Sequence, residues 1–260
     1  MKKIIIFSLL TMLFAQSEQP YPPLDLISIP TAGTIPKGAF TLEMLLQKEG
    51  GLLPKLAIGL TDHFTLGMSF GVQNFIGDQK PIVNRPTPEV QLKYRMYEET
   101  TSRPAIVIGL NTQGRGAFKQ WSVADEDSVE VNRYEQKALG IYLVASKNWN
   151  IFGNLGVHIG VSKNTWENSD DDDDYDFFFG IDKELNRSFS MLLEYDAAFN
   201  SNDNTIDDIT LGRGYGYLNV GMRWTIAQNL MIELNLNNIN KNTDAEYTNR
   251  EVKIMYSETF

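Results

Sequence analysis

The chain has two histidines, and neither brings a complete catalytic set with it. His63 stands in Thr61-Asp62-His63, a turn sequence in which an imidazole faces water. His158 falls on the inner face of an alternating stretch with Asn154, Gly156, Gly160 and Ser162. A hydrolase needs a nucleophile and a base within hydrogen-bond reach, and a third group to orient the base. Ser162 is about 13 Å from His158 along an extended backbone, so the two make no dyad within one strand. Partners would have to come from neighbouring strands, and a hydrolase using His158 stays open as an alternative. In the acidic run Asp170 to Asp174, followed by Asp176, the residues Asp170, Asp172 and Asp174 could serve Ca²⁺, which favours clustered carboxylates. The run lacks the spaced ligands and turn Gly of an EF-hand loop, so its like charges are expected to sit in solvent. Gly212-Arg213-Gly214-Tyr215-Gly216 looks like a phosphate loop, yet no helix follows to supply the amide cluster. With no cysteine there is no thiolate site or disulfide. No metal and no cofactor is expected.

A larger set of ionisable side chains recurs at every second position. Glu89, Lys93 and Arg95 interleave with Val90, Leu92, Tyr94 and Met96, which places the two sets on opposite faces of a strand. Facing lipid, each cation would cost roughly 2–4 kcal/mol near a bilayer midplane. The charged face therefore looks into a lumen. The same alternation puts His158, Glu194, Asp196, Arg223, Glu233 and Lys253 on inner faces. Both signs are present, which argues against a strongly ion-selective filter. Two lumens fit this inventory: a narrow water-filled pore, or one closed by salt bridges.

The elements that must hold these side chains repeat one unit from Ala39 onward, roughly nine to eleven residues of alternating polarity and then a connection. Phe40, Leu42, Met44 and Leu46 open the series, and Val252, Ile254, Tyr256 and Phe260 close it. The count is about twelve strands. Every second connection is short (61–65, 97–103, 147–150, 183–187, 225–229), whereas the others are mostly long and polar (74–86, 112–137, 163–174, 198–215 and 239–249), with only the first of them, at Glu49-Gly50-Gly51, short. Sorted loops of this kind predict an up-and-down antiparallel transmembrane β-barrel, all-β, with short periplasmic turns, long extracellular loops and both termini in the periplasm. A soluble sandwich has no reason to sort its loops.

Ahead of the barrel, residues 1–17 have the layout of a signal peptide: Lys2 and Lys3, the apolar run Ile4 to Phe14, then Ala15-Gln16-Ser17 for cleavage after Ala15 or Ser17. The apolar run is too short for a membrane-spanning helix. Residues 18–38 are rich in Pro and Gly and read as an irregular segment tucked under or into the barrel, which occupies 39–260. The formal charge of −10 speaks against nucleic acid as a partner, and none is expected.

With its signal sequence, alternating strands, sorted loops and final Phe260, the chain resembles Gram-negative outer-membrane β-barrels. That resemblance implies an assembly signal at Tyr256 and Phe260, read by the barrel-assembly machinery, and an outer wall in contact with outer-membrane lipids. Ile29-Pro30-Thr31-Ala32-Gly33 and Pro36-Lys37-Gly38, followed at once by a strand, resemble the opening of YjbH-type barrels linked to exopolysaccharide production. This implies a role in polysaccharide-related secretion and carries over no catalytic residue. The expected function is a non-enzymatic barrel, a small pore or an accessory barrel in envelope or polysaccharide export, with polysaccharide or small solutes as partners. A surface-binding barrel acting through loops 112–137 and 163–174 is the remaining alternative.

Overall fold

The computed structural model describes residues 22–123, 129–170, 172–201, 212–242 and 248–260. The signal-peptide expectation for 1–17 lies outside them. The strands, in chain order, are β1 (Ala39–Leu46), β2 (Leu52–Thr61), β3 (Phe64–Ser69), β4 (Val72–Gln73), β5 (Ile82–Val83), β6 (Glu89–Tyr97), β7 (Ala105–Asn111), β8 (Arg115–Val123), β9 (Val129–Gln136), β10 (Gly140–Asn150), β11 (Asn154–Lys163), β12 (Asp176–Asn186), β13 (Phe189–Asp196), β14 (Tyr217–Ala227), β15 (Leu230–Asn237) and β16 (Asn249–Thr259). Twelve of them close an antiparallel barrel. Around it the order is β1, β2, β3, β6, β7, β10 to β16, and back to β1.

The seam pairs β1 with β16 in unbroken register from Ala39↔Thr259 to Leu46↔Val252. At its end the Phe260 N–H donates to Gly38 O at 2.7 Å, and the Phe260 ring stacks on Phe40 at 5.1 Å between centroids. Glu258 faces outward beside them and accepts a hydrogen bond from the Tyr256 hydroxyl.

Side-chain alternation sorts the two faces of the wall. Leu42, Met68, Ile108, Ile159, Met191 and Leu234 point outward and are 42%, 50%, 42%, 60%, 47% and 57% exposed. A water-soluble protein does not carry a continuous belt of large apolar side chains in water, whereas lipid accepts one. Short turns gather at one end, between β2 and β3, β6 and β7, β10 and β11, β12 and β13, and β14 and β15. We call this the turn end and the opposite one the loop end.

Two connections depart from the expectation of plain polar loops. Within 112–137, β8 and β9 pair as a separate two-stranded ribbon. The acidic run does not lie wholly in solvent: among its described residues Asp170 and Asp172 are buried, and Asp173 and Asp174 are exposed. The reason is local neutralisation, because the Asp170 carboxylate sits 2.7 Å from both Arg133 Nη1 and Lys137 Nζ. One carboxylate serves two cations here, and burial together with the Arg133 charge lowers the Lys137 ammonium from its ordinary value. The Glu167 carboxylate ties the same two loops, accepting from the N–H groups of Tyr134 and Ala138 at 2.7 Å each.

Candidate functional site: the occupied lumen

Residues 22–37 fold back into the barrel from the turn end. Asp25 and Pro30 form an isolated antiparallel bridge, Leu26 N–H donates to Ile29 O at 2.9 Å, and Thr31 N–H donates to Leu24 O at 3.0 Å. The result is a tight hairpin with its tip at Ile27 and Ser28. Its return arm is fixed near the β2–β3 turn, where Ile35 N–H donates to Thr65 Oγ1 at 2.9 Å and Lys37 N–H to Asp62 Oδ1 at 3.0 Å. Leu26, Ile27, Ile29 and Ile35 are all at most 1% exposed.

A hairpin this short leaves most backbone polar groups without a strand partner, and buried groups of that kind need one. The barrel wall supplies charged side chains instead. Glu194 of β13 accepts the N–H groups of Ile27 at 2.9 Å, Ser28 at 2.9 Å and Ile29 at 3.2 Å, and also the Ser28 hydroxyl. Consecutive N–H groups converging on one anion form a backbone nest, and here the anion belongs to the wall. Cations take the carbonyls: Lys93 binds Leu24 O and Thr31 O, Arg223 binds Asp25 O at 3.1 Å and Leu26 O at 3.2 Å, and Lys253 binds Leu26 O at 3.2 Å and Ile27 O at 3.3 Å. Glu233 holds these cations in place, 2.7 Å from Arg223 Nη2 and 2.9 Å from Lys253 Nζ. The Asp25 side chain pairs with Lys55 at 2.6 Å and Lys93 at 3.5 Å.

The apolar side chains of the hairpin meet an apolar half of the inner wall. Leu26, Ile27, Ile29 and Ala32 pack with Ala105 and Val107 of β7, Tyr142 and Val144 of β10, Phe178 of β12 and Leu192 of β13. Gly180 makes the approach possible, since a Cβ there would collide with the Leu26 and Ile29 side chains.

A second closure descends from the loop end. The base of the ribbon reaches the wall through Tyr134 OH to Glu89 at 3.1 Å, Gln136 Nε2 to Asp196 at 3.2 Å, and Arg115 Nη1 to Glu251 at 2.6 Å. Arg115 Nη2 also donates to Ile27 O at the hairpin tip. Between hairpin and ribbon lies a cavity of about 70 Å³. On the other side of the hairpin, a vestibule of about 700 Å³ opens at the turn end, bordered by Arg95, Glu99, Asn148, Arg187 and the Thr31–Gly33 arm.

His158 lines this vestibule and completes a chain of polar groups across three strands. Ser146 of β10 lies 2.7 Å from its Nδ1, and Asp182 of β12 lies 2.8 Å from its Nε2. With the proton on Nε2, the Ser146 hydroxyl donates to the ring and the ring donates to Asp182, a Ser-His-Asp order. The Ser146 oxygen accepts the Ala32 N–H at 2.7 Å, and the residue is 5% exposed. The chain therefore anchors the hairpin arm, and all three of its side chains line the vestibule.

The residues picked out from sequence thus fall into three groups. Lys93, Glu194, Arg223, Glu233 and Lys253 hold the hairpin. Glu89 and Asp196 hold the ribbon, and His158 and Arg95 border the vestibule, with Arg95 Nη2 donating to Asp62 O at 2.8 Å. His63 is exposed in its turn. Asp174 is exposed and Asp170 is ion-paired, and no cluster able to hold a metal ion occurs among the described residues. Sequence reasoning places Lys55 and Asp182 on the inner face but missed their partners, Asp25 for Lys55 and His158 for Asp182, and it missed Arg115 and Ser146 altogether.

No protein-family model matches the chain, and a search of curated proteins finds no match. Among solved structures, the chain is similar to a KdgM porin at 12% identity, over 84% of this chain and 98% of that one, with a TM-score of 0.48. It is similar to the outer membrane protein Omp33 of Acinetobacter baumannii at 8% identity, over 85% and 97%, with a TM-score of 0.44. Outer membrane phospholipase A of Escherichia coli gives 12% identity, 86% and 92%, and a TM-score of 0.38. At these values no ligand, residue role or activity passes from them to this chain.

Proposed function

We propose that the protein is a non-enzymatic outer-membrane barrel whose resting state is closed, and through which small solutes pass only when the 25–30 hairpin leaves the wall. The observation that carries this reading is the hairpin itself, buried at mid-lumen with both signs of wall charge spent on its backbone. The turn end faces the periplasm in this reading, with residues 39–260 as the barrel and 22–38 as its internal plug. Polysaccharide export, which the YjbH-type resemblance implies, would use the same barrel with hairpin and ribbon both displaced; Ile29 to Gly33, the residues of that resemblance, form the returning arm of the hairpin. Planar-bilayer recording tests the proposal: the wild-type protein is expected to be nearly silent, and a hairpin-release variant to conduct. A wild-type protein with a steady open conductance would overturn it.

The Ser146–His158–Asp182 chain favours a second reading, a hydrolase acting from the vestibule. Hydrolysis of short-chain esters or peptides that is abolished in both Ser146→Ala and His158→Ala would establish it. Absence of turnover in the wild-type protein, or equal turnover in the variants, eliminates it.

A further inference from the structure

A cavity of about 170 Å³ lies at the loop end between the wall strands β14, β15 and β16 and the base of the ribbon. Asn237 and Asn249 face each other there across the β15–β16 ladder. Asn237 is 6% exposed, yet neither its side-chain oxygen nor its nitrogen has a hydrogen-bond partner, and the Asn249 Oδ1 has none either. The Asn249 Nδ2 is taken by Glu251 at 3.2 Å. The buried and half-buried charges around the cavity are matched, Arg115 with Glu251 at 2.6 Å and Lys48 with Glu135 at 2.5 Å, and the remaining charge in the lining, Glu49, is exposed to solvent.

What remains in the buried part is an amide edge with donors and acceptors side by side and no unpaired buried charge. An anionic ligand would have to break one of the two pairs, a cationic one would find its open partner, Glu49, in solvent and away from the amides, and an apolar ligand would leave the amides buried and unsatisfied. A hydroxyl group donates and accepts at once, and neighbouring hydroxyls on one ring match neighbouring amide atoms. The volume equals that of about five or six waters, which suits one small ring and excludes a long oligomer.

We propose that this cavity binds a neutral polyhydroxylated ligand, a single sugar unit, through Asn237 and Asn249. The site is built in the closed barrel and does not rest on the hairpin moving. The test is ligand-observed saturation-transfer NMR, followed by calorimetric titration, on the refolded barrel in detergent. Glucose, galactose and N-acetylglucosamine serve as neutral probes, and glucuronate and glucosamine as charged ones. At least one neutral sugar is expected to bind with a dissociation constant on the order of 1 mM. Asn237→Ala is expected to weaken it about tenfold, as is Asn249→Ala, while the charged sugars bind more weakly than the neutral one. Heat-modifiable gel migration checks the fold of each variant. The wild-type titration alone overturns the proposal if no neutral sugar binds, which makes the cavity a water site only. Binding that is unchanged in the folded variants overturns it as well.

Discussion

The Arg115 guanidinium, on the ribbon that descends from the loop end, donates to the carbonyl of Ile27 at the tip of the hairpin that rises from the turn end. The same guanidinium is anchored to the wall by Glu251 at 2.6 Å. The two closures therefore touch, and each helps to set the position of the other.

Glu194→Gln should release the hairpin. The variant replaces a carboxylate that gathers the Ile27, Ser28 and Ile29 N–H groups with an amide that presents its own N–H to them. Hydrogen bonds to a charged group contribute about 1.5–3 kcal/mol each, so losing even one shifts the closed-to-open ratio by about tenfold or more. Open-channel probability in bilayers should rise accordingly, and adding Arg115→Ala should give a non-additive effect because both residues act on one hairpin. A variant as silent as the wild-type protein would refute the role given to Glu194.

Gly180→Val should open the barrel by crowding. The new side chain would occupy the space of the Leu26 and Ile29 methyl groups, and overpacking of this kind costs about 1–3 kcal/mol. The hairpin is the softer partner, since the wall is locked by strand pairing on both sides. Proteinase K should cut within 22–37 in the variant and spare it in the wild-type protein, with gel heat-modifiability retained. Unchanged protection would show that the wall yields instead.

At the loop end, Asp170→Asn and Lys137→Met should differ sharply. Removing Asp170 strands two buried cations, a loss of about 3–5 kcal/mol for breaking a buried pair. Removing Lys137 leaves the Arg133–Asp170 pair intact at 2.7 Å, and Lys137 is already pushed toward its neutral form by burial and by Arg133. Limited proteinase K digestion, which does not need a Lys or Arg at the cut, should cleave the 129–138 segment readily in Asp170→Asn and slowly in Lys137→Met. Equal rates would mean that the ion pairs do not hold the ribbon.

Phe260→Ala separates assembly from stability. The ring is 85% exposed and its main contact is the stack on Phe40, so denaturation of the purified barrel should change by no more than about 0.5 kcal/mol. Yield in the membrane of living cells should fall several-fold if the assembly machinery reads this residue. Equal losses in cells and in detergent refolding would assign Phe260 a structural role.

The barrel was legible because lipid on one side and polar groups on the other impose a period of two, as Glu89 to Met96 display. The occupied lumen was legible in part from the Pro- and Gly-rich 18–38 segment, which reads as tucked under or into the barrel, and in part as an exception to that period. Ala105 to Leu110 and Ile141 to Ala145 are apolar at nearly every position, the pattern of strands covered on both faces, and Leu24, Leu26, Ile27 and Ile29 are too apolar for a segment left in water. The presence of both charge signs inside carried the same message, since a backbone offers N–H and carbonyl groups in equal number. Pairings such as Ser146 with His158 and Asp182, or Asp170 with Arg133 and Lys137, depend on strand register and loop docking, and spacing along the chain does not encode them.

Both arms of the hairpin leave the lumen at the same end, one through Pro23 and Pro22 and the other through Gly38 into β1. A pull on the Pro22 arm from that end would load the hairpin as a zipper rather than as a bolt. Thr31, Leu24 and Asp25 would let go first, then Leu26, and the Glu194 nest last, with the bonds strained in turn and not together. Extraction in that direction asks for sustained modest tension, whereas a push from the opposite end would drive the tip against every one of those contacts at once.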